Sequence, residues 1–256
     1  MTRRAAVAGA ALLACLLRSP ARAGADGPAC AGYIEVDAAR ATLYTPGTLD
    51  ACELPVAPGE HIAAVATPDF DGSAPCGRCL AVTGPLGTVL VRVVEECPTC
   101  GAGNLDLDPD AFAQIADPSD GIAAISYTST ECPVTGPIEL YVSEQSNDFY
   151  AQVQIRNHRY GVASVEAYSG GGWVVLPRST DNYFVFSGSV PDPLVLRVAD
   201  IHGDVLTEPG IPFSPGSLQA GTGQFATCPE PRDAAGAVAV LSMALARRRV
   251  QAGVAR

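Results

Sequence analysis

The chain has 256 residues, with 27 acidic residues, 16 arginines and no lysine, so its formal charge at pH 7 is -11. A chain of this length fits one long domain or two short ones. The acidic balance argues against a basic nucleic-acid-binding surface, and no apolar run reaches the roughly 18 residues that a spanning helix needs. We therefore expect neither a nucleic-acid partner nor a conventional membrane span.

The first 23 residues have the features of an export signal. Two arginines precede an apolar stretch over residues 5–17, and residues 21–23, Ala-Arg-Ala, provide a small-x-small cleavage site. A competing interpretation is a lipoprotein, because the preceding Leu-Leu-Ala resembles the box that leads to a lipidated cysteine at Cys15. Both interpretations place the protein outside the cytoplasm, either secreted or on the cell surface.

The cysteines favour disulfides. Cleavage after residue 23 leaves an even number that can pair completely, namely Cys30, Cys52, Cys76, Cys79, Cys97, Cys100, Cys132 and Cys228. An alternative is a four-cysteine zinc site built from the two Cys-x-x-Cys pairs at 76–79 and 97–100. Because thiols outside the cell tend to oxidise, we predict disulfides and no metal.

Residues 24–134 are predicted to form a first domain, mostly strand with one helix. Strands are predicted over residues 80–82, 88–94 and 122–128. Asp108 and Pro109 supply an N-cap and a first-turn proline for a helix over about 109–116. Two prolines and a glycine within residues 132–137 mark a short, stiff connector to a second domain.

Asp106 is the most informative carboxylate of the first domain. It alternates with Leu105 and Leu107, so an extended segment that buries the leucines turns Asp106 to the opposite face, directly before the helix. The alternative is a solvated strand acid without a role. A calcium loop is also conceivable, since Asp106, Asp108 and Asp110 have its first spacings, but the glycine required at the sixth position is missing.

Residues 138–226 are predicted to form a second, all-β domain. Candidate strands are residues 138–142, 150–156, 162–168, 173–176, 183–186 and 194–199, which predict a β-sandwich. Strand parity places Phe149 with the core residues and Tyr150 with Gln152 and Gln154 on the outside. Trp173 leads into an apolar run, so we expect it in the core.

The C-terminal residues 227–256 are predicted to be a sorting or disordered tail. A Pro-Glu-Pro sequence at 229–231 precedes a short apolar run and three consecutive arginines. That order resembles the sorting tails of exported bacterial proteins, although the alternative is a frayed amphipathic helix.

Short motifs along the mature chain resemble those of bacterial expansins, in the same order. They are Thr67-Pro68-Asp69-Phe70, Cys76-Gly77-x-Cys79-Leu80, Val82-Thr83-Gly84-Pro85, Leu105-Asp106-Leu107, Ala111-Phe112 and Gln154-Ile155-Arg156-Asn157-His158-Arg159-Tyr160. The resemblance implies a mainly β protein. A six-stranded double-psi β-barrel, related to glycoside hydrolase family 45, would be followed by an immunoglobulin-like β-sandwich that binds cellulose.

The resemblance also implies residue roles in the barrel. Asp106 matches the aspartate on which wall loosening depends, and Thr42 and Tyr44 match residues of the polysaccharide-binding groove. Glu95 lies where the family usually has Asp, so the carboxylate is retained but reaches one methylene further.

Hydrolysis of a glycosidic bond generally needs two carboxylates. Asp106 could be the acid, but Pro46 falls where related endoglucanases carry the base, and proline has no titratable group. Asp50 or Glu95 could substitute for that base. We therefore expect a non-enzymatic protein and designate Asp106 as a functional acid without a demonstrated catalytic role.

Aromatic side chains of the sandwich would stack on sugar rings in this family. Phe149 and Tyr150 match a pair of adjacent tryptophans, while the third family aromatic falls near Asp181. The binding platform is therefore either incomplete or shifted to Tyr183.

The function implied is non-hydrolytic loosening of cellulose or plant cell-wall glucan by a secreted monomer without a cofactor. Xyloglucan and peptidoglycan are further possible polysaccharide partners. The alternatives are a glycoside hydrolase, a peptidoglycan lytic transglycosylase, or a carbohydrate-binding surface protein that does not loosen walls.

Overall fold

The computed structural model describes residues 34–47 and 50–228. It contains a closed six-stranded barrel followed by two four-stranded sheets. The predicted export signal with Cys15, the residue Cys30 and the chain beyond residue 228 lie outside the described residues. Within the described ranges, no helix is long and apolar enough to cross a membrane.

The barrel is built from the first six strands of the described chain. They are β1 (Glu35–Leu43), β2 (Ile62–Ala66), β3 (Cys79–Gly84), β4 (Gly87–Cys97), β5 (Leu105–Leu107) and β6 (Ile122–Thr130). Around the barrel they follow the order β1-β5-β2-β4-β3-β6, and β6 closes onto β1. The pairs β1/β5 and β2/β4 are parallel and the others antiparallel. The predicted six-stranded double-psi barrel is confirmed.

The helices of the barrel domain are short. They are α1 (Thr67–Phe70), α2 (Pro109–Ile115) and the single 3-10 turns Asp71–Ser73 and Pro118–Asp120. The Asp108 carboxylate caps α2 by accepting hydrogen bonds of 2.9 Å from the backbone N–H groups of Asp110 and Ala111. Its second oxygen accepts a 2.7 Å hydrogen bond from the N–H of Ile62. The predicted helix is therefore confirmed, and its first turn is tied to the start of β2.

The remaining strands form a two-sheet sandwich. They are β7 (Glu139–Val142), β8 (Tyr150–Arg156), β9 (Val162–Ser169), β10 (Gly172–Val175), β11 (Phe184–Ser187), β12 (Leu194–Asp200), β13 (Val205–Ile211) and β14 (Leu218–Ala220). The sheet orders are β10-β9-β12-β13 and β11-β8-β7-β14. Buried side chains of both sheets, such as Leu140, Val153, Val165 and Leu196, belong to one core. The sequence patterns predict six of these eight strands and miss β13 and β14.

The cysteines of the barrel domain are paired as disulfides. The pairs are Cys52–Cys76, Cys79–Cys132 and Cys97–Cys100. Cys228 is also disulfide-bonded. The four-cysteine zinc alternative is therefore wrong, because Cys76 and Cys79 have separate partners elsewhere in the barrel domain.

The prediction that Trp173 lies in the core is also wrong. Trp173 on the edge strand β10 pairs with Tyr168 on β9, and both side chains face outwards. The Arg197 guanidinium lies 3.9 Å from the centroid of the Trp173 indole ring. Trp173 is therefore half-buried by its neighbours on the outer face of the sheet rather than by the core.

Direct hydrogen bonds join the two domains. The Gln154 side-chain amide on β8 donates a 2.9 Å hydrogen bond to the carbonyl oxygen of Cys52 in the barrel domain. The Ser73 hydroxyl donates a 2.8 Å hydrogen bond to the carbonyl oxygen of Ser179 in the sandwich domain. Gln154 is fully buried. The expected solvent-facing position of Gln154 is thus wrong, because the barrel covers that face of β8.

Candidate functional site

The centre of the candidate site is a pair of side chains on adjacent barrel strands. The parallel register of β1 and β5 places Thr42 opposite Asp106. The Thr42 hydroxyl donates a 2.7 Å hydrogen bond to Oδ1 of Asp106. Leu105 and Leu107 are buried, whereas Asp106 is half-buried. The alternation therefore predicts correctly which face carries the carboxylate, and the β1/β5 pairing brings Thr42 to it.

Tyr44 adds a hydroxyl group to the same face. Its backbone N–H donates a 2.9 Å hydrogen bond to the carbonyl oxygen of Leu107, which continues the β1–β5 ladder by one residue. Burial raises the pKa of Tyr44, and the surrounding carboxylates of Asp50, Glu95 and Asp106 raise it further. The hydroxyl oxygen is buried and has no hydrogen-bond partner among the described residues. Tyr44 therefore keeps its proton, and its hydroxyl oxygen is enclosed at the base of this face.

Glu95 and Asp50 form a carboxyl pair beside Tyr44. Oε1 of Glu95 accepts hydrogen bonds from the backbone N–H groups of Ala51, at 3.0 Å, and Glu96, at 2.9 Å. Burial raises the pKa of Asp50, the charge of Glu95 raises it further, and the charge of Arg92 opposes them. Asp50 therefore holds its proton to a higher pH than a solvated aspartate does.

The groove residues predicted from the sequence do not include the acidic residue Asp50. Asp50 lies six residues after Tyr44, and this short separation in sequence was the signal that could have identified it as a groove residue. Asp50 also lines a cavity of about 380 Å³ whose wall includes Pro46, His61 and Asp108. The structure thus brings Thr42, Tyr44, Glu95 and Asp106 together as predicted and adds Asp50.

The Cys97–Cys100 disulfide borders the same carboxylate. Sγ of Cys97 lies 4.0 Å from Oδ2 of Asp106. This is a van der Waals contact rather than a hydrogen bond, because a disulfide sulfur carries no proton. Of the described His, Cys, Asp and Glu residues, only Cys97, Cys100 and Asp106 place their ligand atoms close enough to form a possible metal-binding group. The sequence pattern did not connect this disulfide with Asp106.

Comparison with known proteins identifies the family. No family model matches the chain. Expansin-like protein 2 of Dictyostelium discoideum is 33% identical over 173 residues, which are 64% of this chain and 42% of that protein. Expansin-YoaJ of Bacillus subtilis is 33% identical over 153 residues, 60% of this chain and 64% of that protein. The chain therefore spans less than two thirds of the length of these relatives.

A solved structure matches over a larger share. The crystal structure of apo Clavibacter michiganensis expansin has a TM-score of 0.70 and 32% identity to this chain, and the match covers 77% of this chain and 100% of the other. This chain belongs to the expansin family. A further structure, with the same TM-score, shows an aspartate-to-asparagine mutant of the Clavibacter michiganensis expansin in complex with cellohexaose.

In this expansin, the predicted aromatic residues of the sandwich have different environments. Phe149 is 71% exposed, and Tyr150 is half-buried at the first position of β8. The parity argument that places Phe149 in the core is wrong, because the residue precedes the strand. Its backbone lies in a turn in which its N–H donates a 3.0 Å hydrogen bond to Oδ1 of Asn147.

Tyr183 does not extend an exposed platform. Only 5% of its surface is exposed, and its ring lies 6.4 Å from that of Tyr141. Burial raises the pKa of Tyr183, and the charge of Glu53 together with a hydrogen bond to it raises the pKa further. The prediction that Tyr183 replaces the third family aromatic is therefore wrong: the Glu53 segment of the barrel domain covers it.

Proposed function

We propose that this expansin is exported and binds cellulose or a related neutral glucan, loosening the polymer without cleaving it. The observation that carries the proposal is the half-buried Thr42–Asp106 pair, with 2.7 Å between the hydroxyl and carboxylate oxygens. Hydroxyl and carboxylate groups in this arrangement suit the hydrogen-bonding groups of a sugar. The cellohexaose complex of the Clavibacter relative supports this class of ligand.

Binding would use two chemically different surfaces. Asp106 accepts hydrogen bonds from sugar hydroxyls, so the barrel competes with contacts between neighbouring glucan chains. The exposed ring of Phe149 offers a flat apolar face to a pyranose ring. Loosening follows when both surfaces hold one chain away from its neighbours.

Charge supports a neutral polymer as the target. Between residues 24 and 229 the chain has 7 arginines and 25 acidic residues, a formal charge of -18. At low salt an anionic polymer such as pectin or a teichoic polymer would be repelled. We therefore favour cellulose, with xyloglucan as a second neutral candidate.

Hydrolysis is the second candidate, and the Asp50–Glu95 pair is the observation that favours it. Cleavage with inversion needs an acid and a base about 6.5–9.5 Å apart. Pro46 supplies neither. Asp50 lies in the same groove as Asp106 and has a raised pKa, so it is the residue that would complete a catalytic pair.

A cellulose pull-down paired with a reducing-sugar assay separates these functions. The exported chain is compared with Phe149→Ala, Asp106→Asn and the control Tyr168→Ala, which removes an exposed aromatic from the other sheet. The proposal expects retention that Phe149→Ala weakens and Tyr168→Ala preserves, no sugar release, and wall extension that Asp106→Asn abolishes.

Other outcomes would overturn the proposal. Sugar release that Asp106→Asn or Asp50→Asn abolishes would make the protein a glycoside hydrolase. Release of anhydro-muropeptides from peptidoglycan would make it a lytic transglycosylase. Retention on cellulose without wall extension would leave a binding protein that does not loosen walls.

A further inference from the structure

The Cys97–Cys100 disulfide differs from the others in its position. It joins residues three apart, across a turn in which the N–H of Cys100 donates a 3.2 Å hydrogen bond to the carbonyl oxygen of Cys97. Cys97 is the last residue of β4, which fixes one sulfur beside Asp106. A Cys-x-x-Cys turn is also the standard half-site for a thiolate-bound metal ion.

Solvent reaches this disulfide more readily than the other two that join described residues. Cys52, Cys76, Cys79 and Cys132 are all at most 4% exposed. Cys100 is partly exposed, and the two residues between Cys97 and Cys100 are fully on the surface. Because exchange requires attack of a thiolate on an accessible sulfur, a reductant would open Cys97–Cys100 before Cys52–Cys76 and Cys79–Cys132.

After reduction, the two sulfurs and the carboxylate oxygen beside them can reach the spacing of a metal site. The two sulfurs and a carboxylate oxygen of Asp106 lie within 4.8 Å of one another, and Sγ of Cys97 lies 4.0 Å from Oδ2 of Asp106. In a tetrahedral zinc site, ligand atoms lie roughly 3.5–3.8 Å apart, given metal–ligand bonds of about 2.0–2.3 Å. The two sulfurs, bonded at 2.03 Å in the disulfide, would have to separate by about 1.7 Å after reduction to reach that spacing, and rotation of the partly exposed Cys100 side chain can provide this movement.

We propose that reduction of Cys97–Cys100 converts this corner of the groove into a site for a thiophilic divalent cation, with Cys97, Cys100 and Asp106 as ligands. A dithiol transfers two electrons and two protons to the disulfide and becomes a disulfide itself, leaving two thiols on the chain. The cation then displaces those two protons and binds both thiolates and the carboxylate. Water completes a four-coordinate site.

The electrostatic surroundings favour the cation. Glu95 and Asp50 belong to the same groove as Asp106, and the chain as a whole is acidic. Thiolates select soft or borderline ions such as Cd²⁺ and Zn²⁺ over Mg²⁺ or Ca²⁺. The site requires reduction, so the oxidised protein would not bind these ions there. The inference concerns metal binding alone and holds whether or not the protein binds cellulose.

Cadmium titration of the exported chain tests the proposal. The protein is treated with a phosphine reductant and desalted without oxygen, and alkylation with peptide mapping then identifies the thiols formed. We expect labelling of Cys97 and Cys100 and none of the buried Cys52, Cys76, Cys79 and Cys132. We also expect one Cd²⁺ per reduced chain, seen by its thiolate charge-transfer absorption, and none in the oxidised chain.

Variants identify the ligands. Cys97→Ser/Cys100→Ser should abolish the absorption. Asp106→Asn should weaken Cd²⁺ binding at least about tenfold, since loss of even outer partners of metal ligands costs that much. Asp120→Asn, which changes an exposed carboxylate on the turn Pro118–Asp120, should bind as the parent does.

A further variant covers the case in which reduction unfolds the protein. Cys100→His removes the disulfide and leaves a thiol, an imidazole and a carboxylate, so it should bind Cd²⁺ without any reductant. Adding Asp106→Asn to Cys100→His should reverse that gain. The proposal is overturned if reduced protein and Cys100→His both bind no more Cd²⁺ than their Asp106→Asn counterparts.

Discussion

The buried ring of His158 in the sandwich lies directly over Gly77 in the barrel. A Cβ atom at Gly77 would sit 2.5 Å from Nε2 of His158 and 2.6 Å from its Cε1. Gly77 has a φ of +75°, a backbone conformation that side-chain-bearing residues rarely adopt. Nδ1 of the same imidazole lies 2.8 Å from the carbonyl oxygen of Tyr160, so the ring is held in place by this contact.

Gly77→Ala should destabilise the protein by about 3 kcal/mol or more. Alanine is strained in the left-handed backbone conformation, and its Cβ atom would overlap the fixed imidazole ring of His158. Urea unfolding measures the loss. Gly59→Ala is the matched control, because Gly59 has a φ of +79° and a Cβ atom added there would meet nothing within 4 Å. The control should lose only about 1–2 kcal/mol. Equal losses in the two variants would contradict the close contact.

His158 should make stability depend on pH. Burial lowers the pKa of His158 from 6.5 to about 4, with smaller effects from Arg178, Arg92 and Arg78. Between pH 6.5 and about 4, His158 is therefore protonated in the unfolded chain and neutral in the folded chain. Stability from the neutral ring is complete above pH 6.5 and is lost as the pH falls towards 4, by about 3 kcal/mol in total.

Urea unfolding of the parent and of His158→Gln across that pH range checks this prediction. Other carboxylates titrate in both proteins, so the difference between the two curves isolates His158. We expect His158→Gln to be less stable near neutral pH and to have a shallower slope between pH 6.5 and 4. Parallel curves would show that the imidazole does not titrate on unfolding.

Thr42→Val should weaken cellulose retention about fivefold while the fold persists. The substitution removes the hydroxyl that donates to Asp106, an interaction of about 1 kcal/mol, and leaves a side chain of similar shape. Binding isotherms on cellulose, with urea unfolding of the same samples, measure both effects. Thr42→Ser keeps the donor and should bind as the parent does; equal weakening in both variants would show that the hydroxyl alone does not account for the effect.

Asp50→Asn should become increasingly more stable than the parent as the pH rises above 3.8. Burial and the nearby Glu95 raise the pKa of Asp50, so ionisation of this carboxyl opposes folding. The stability contributed by protonated Asp50 is fully present below pH 3.8. It is lost as the pH rises through the pKa that Asp50 has in the folded protein. An amide cannot ionise and avoids that loss.

Unfolding measurements below pH 3.8 and near neutrality test this expectation. Asp120→Asn, which changes an exposed carboxylate, is the control and should show a much smaller change with pH. A constant difference between Asp50→Asn and the parent would argue against the carboxyl pair.

Short sequence patterns correctly predicted the features that depend on residues close together in the chain. The alternation around Asp106 fixed its face, and the Asp108 N-cap fixed the start of α2, because both depend on neighbours within a few residues. The order of motifs along the chain then placed Thr42 and Asp106 in one groove. Pairing of strands far apart in sequence, here β1 with β5, could be anticipated only through the family resemblance.

Contacts between distant segments explain the errors. Tyr183 is buried because the barrel segment at Glu53 covers it, and no pattern near Tyr183 records that. Pro209 and Gly210 speak against a strand, yet both lie in β13. β13 is at the edge of its sheet, where a proline does not remove a central ladder hydrogen bond.

The hydrogen bond from Gln154 to Cys52 bears on how the two halves of the chain can be used. The buried side chain of Gln154 in the sandwich donates its hydrogen bond to the carbonyl oxygen of Cys52 in the barrel domain. Cys52 is itself held in place by its disulfide with Cys76. Without the barrel, the sandwich would expose the face of β8 that the barrel now buries. We therefore expect the two domains to be inherited and to function together.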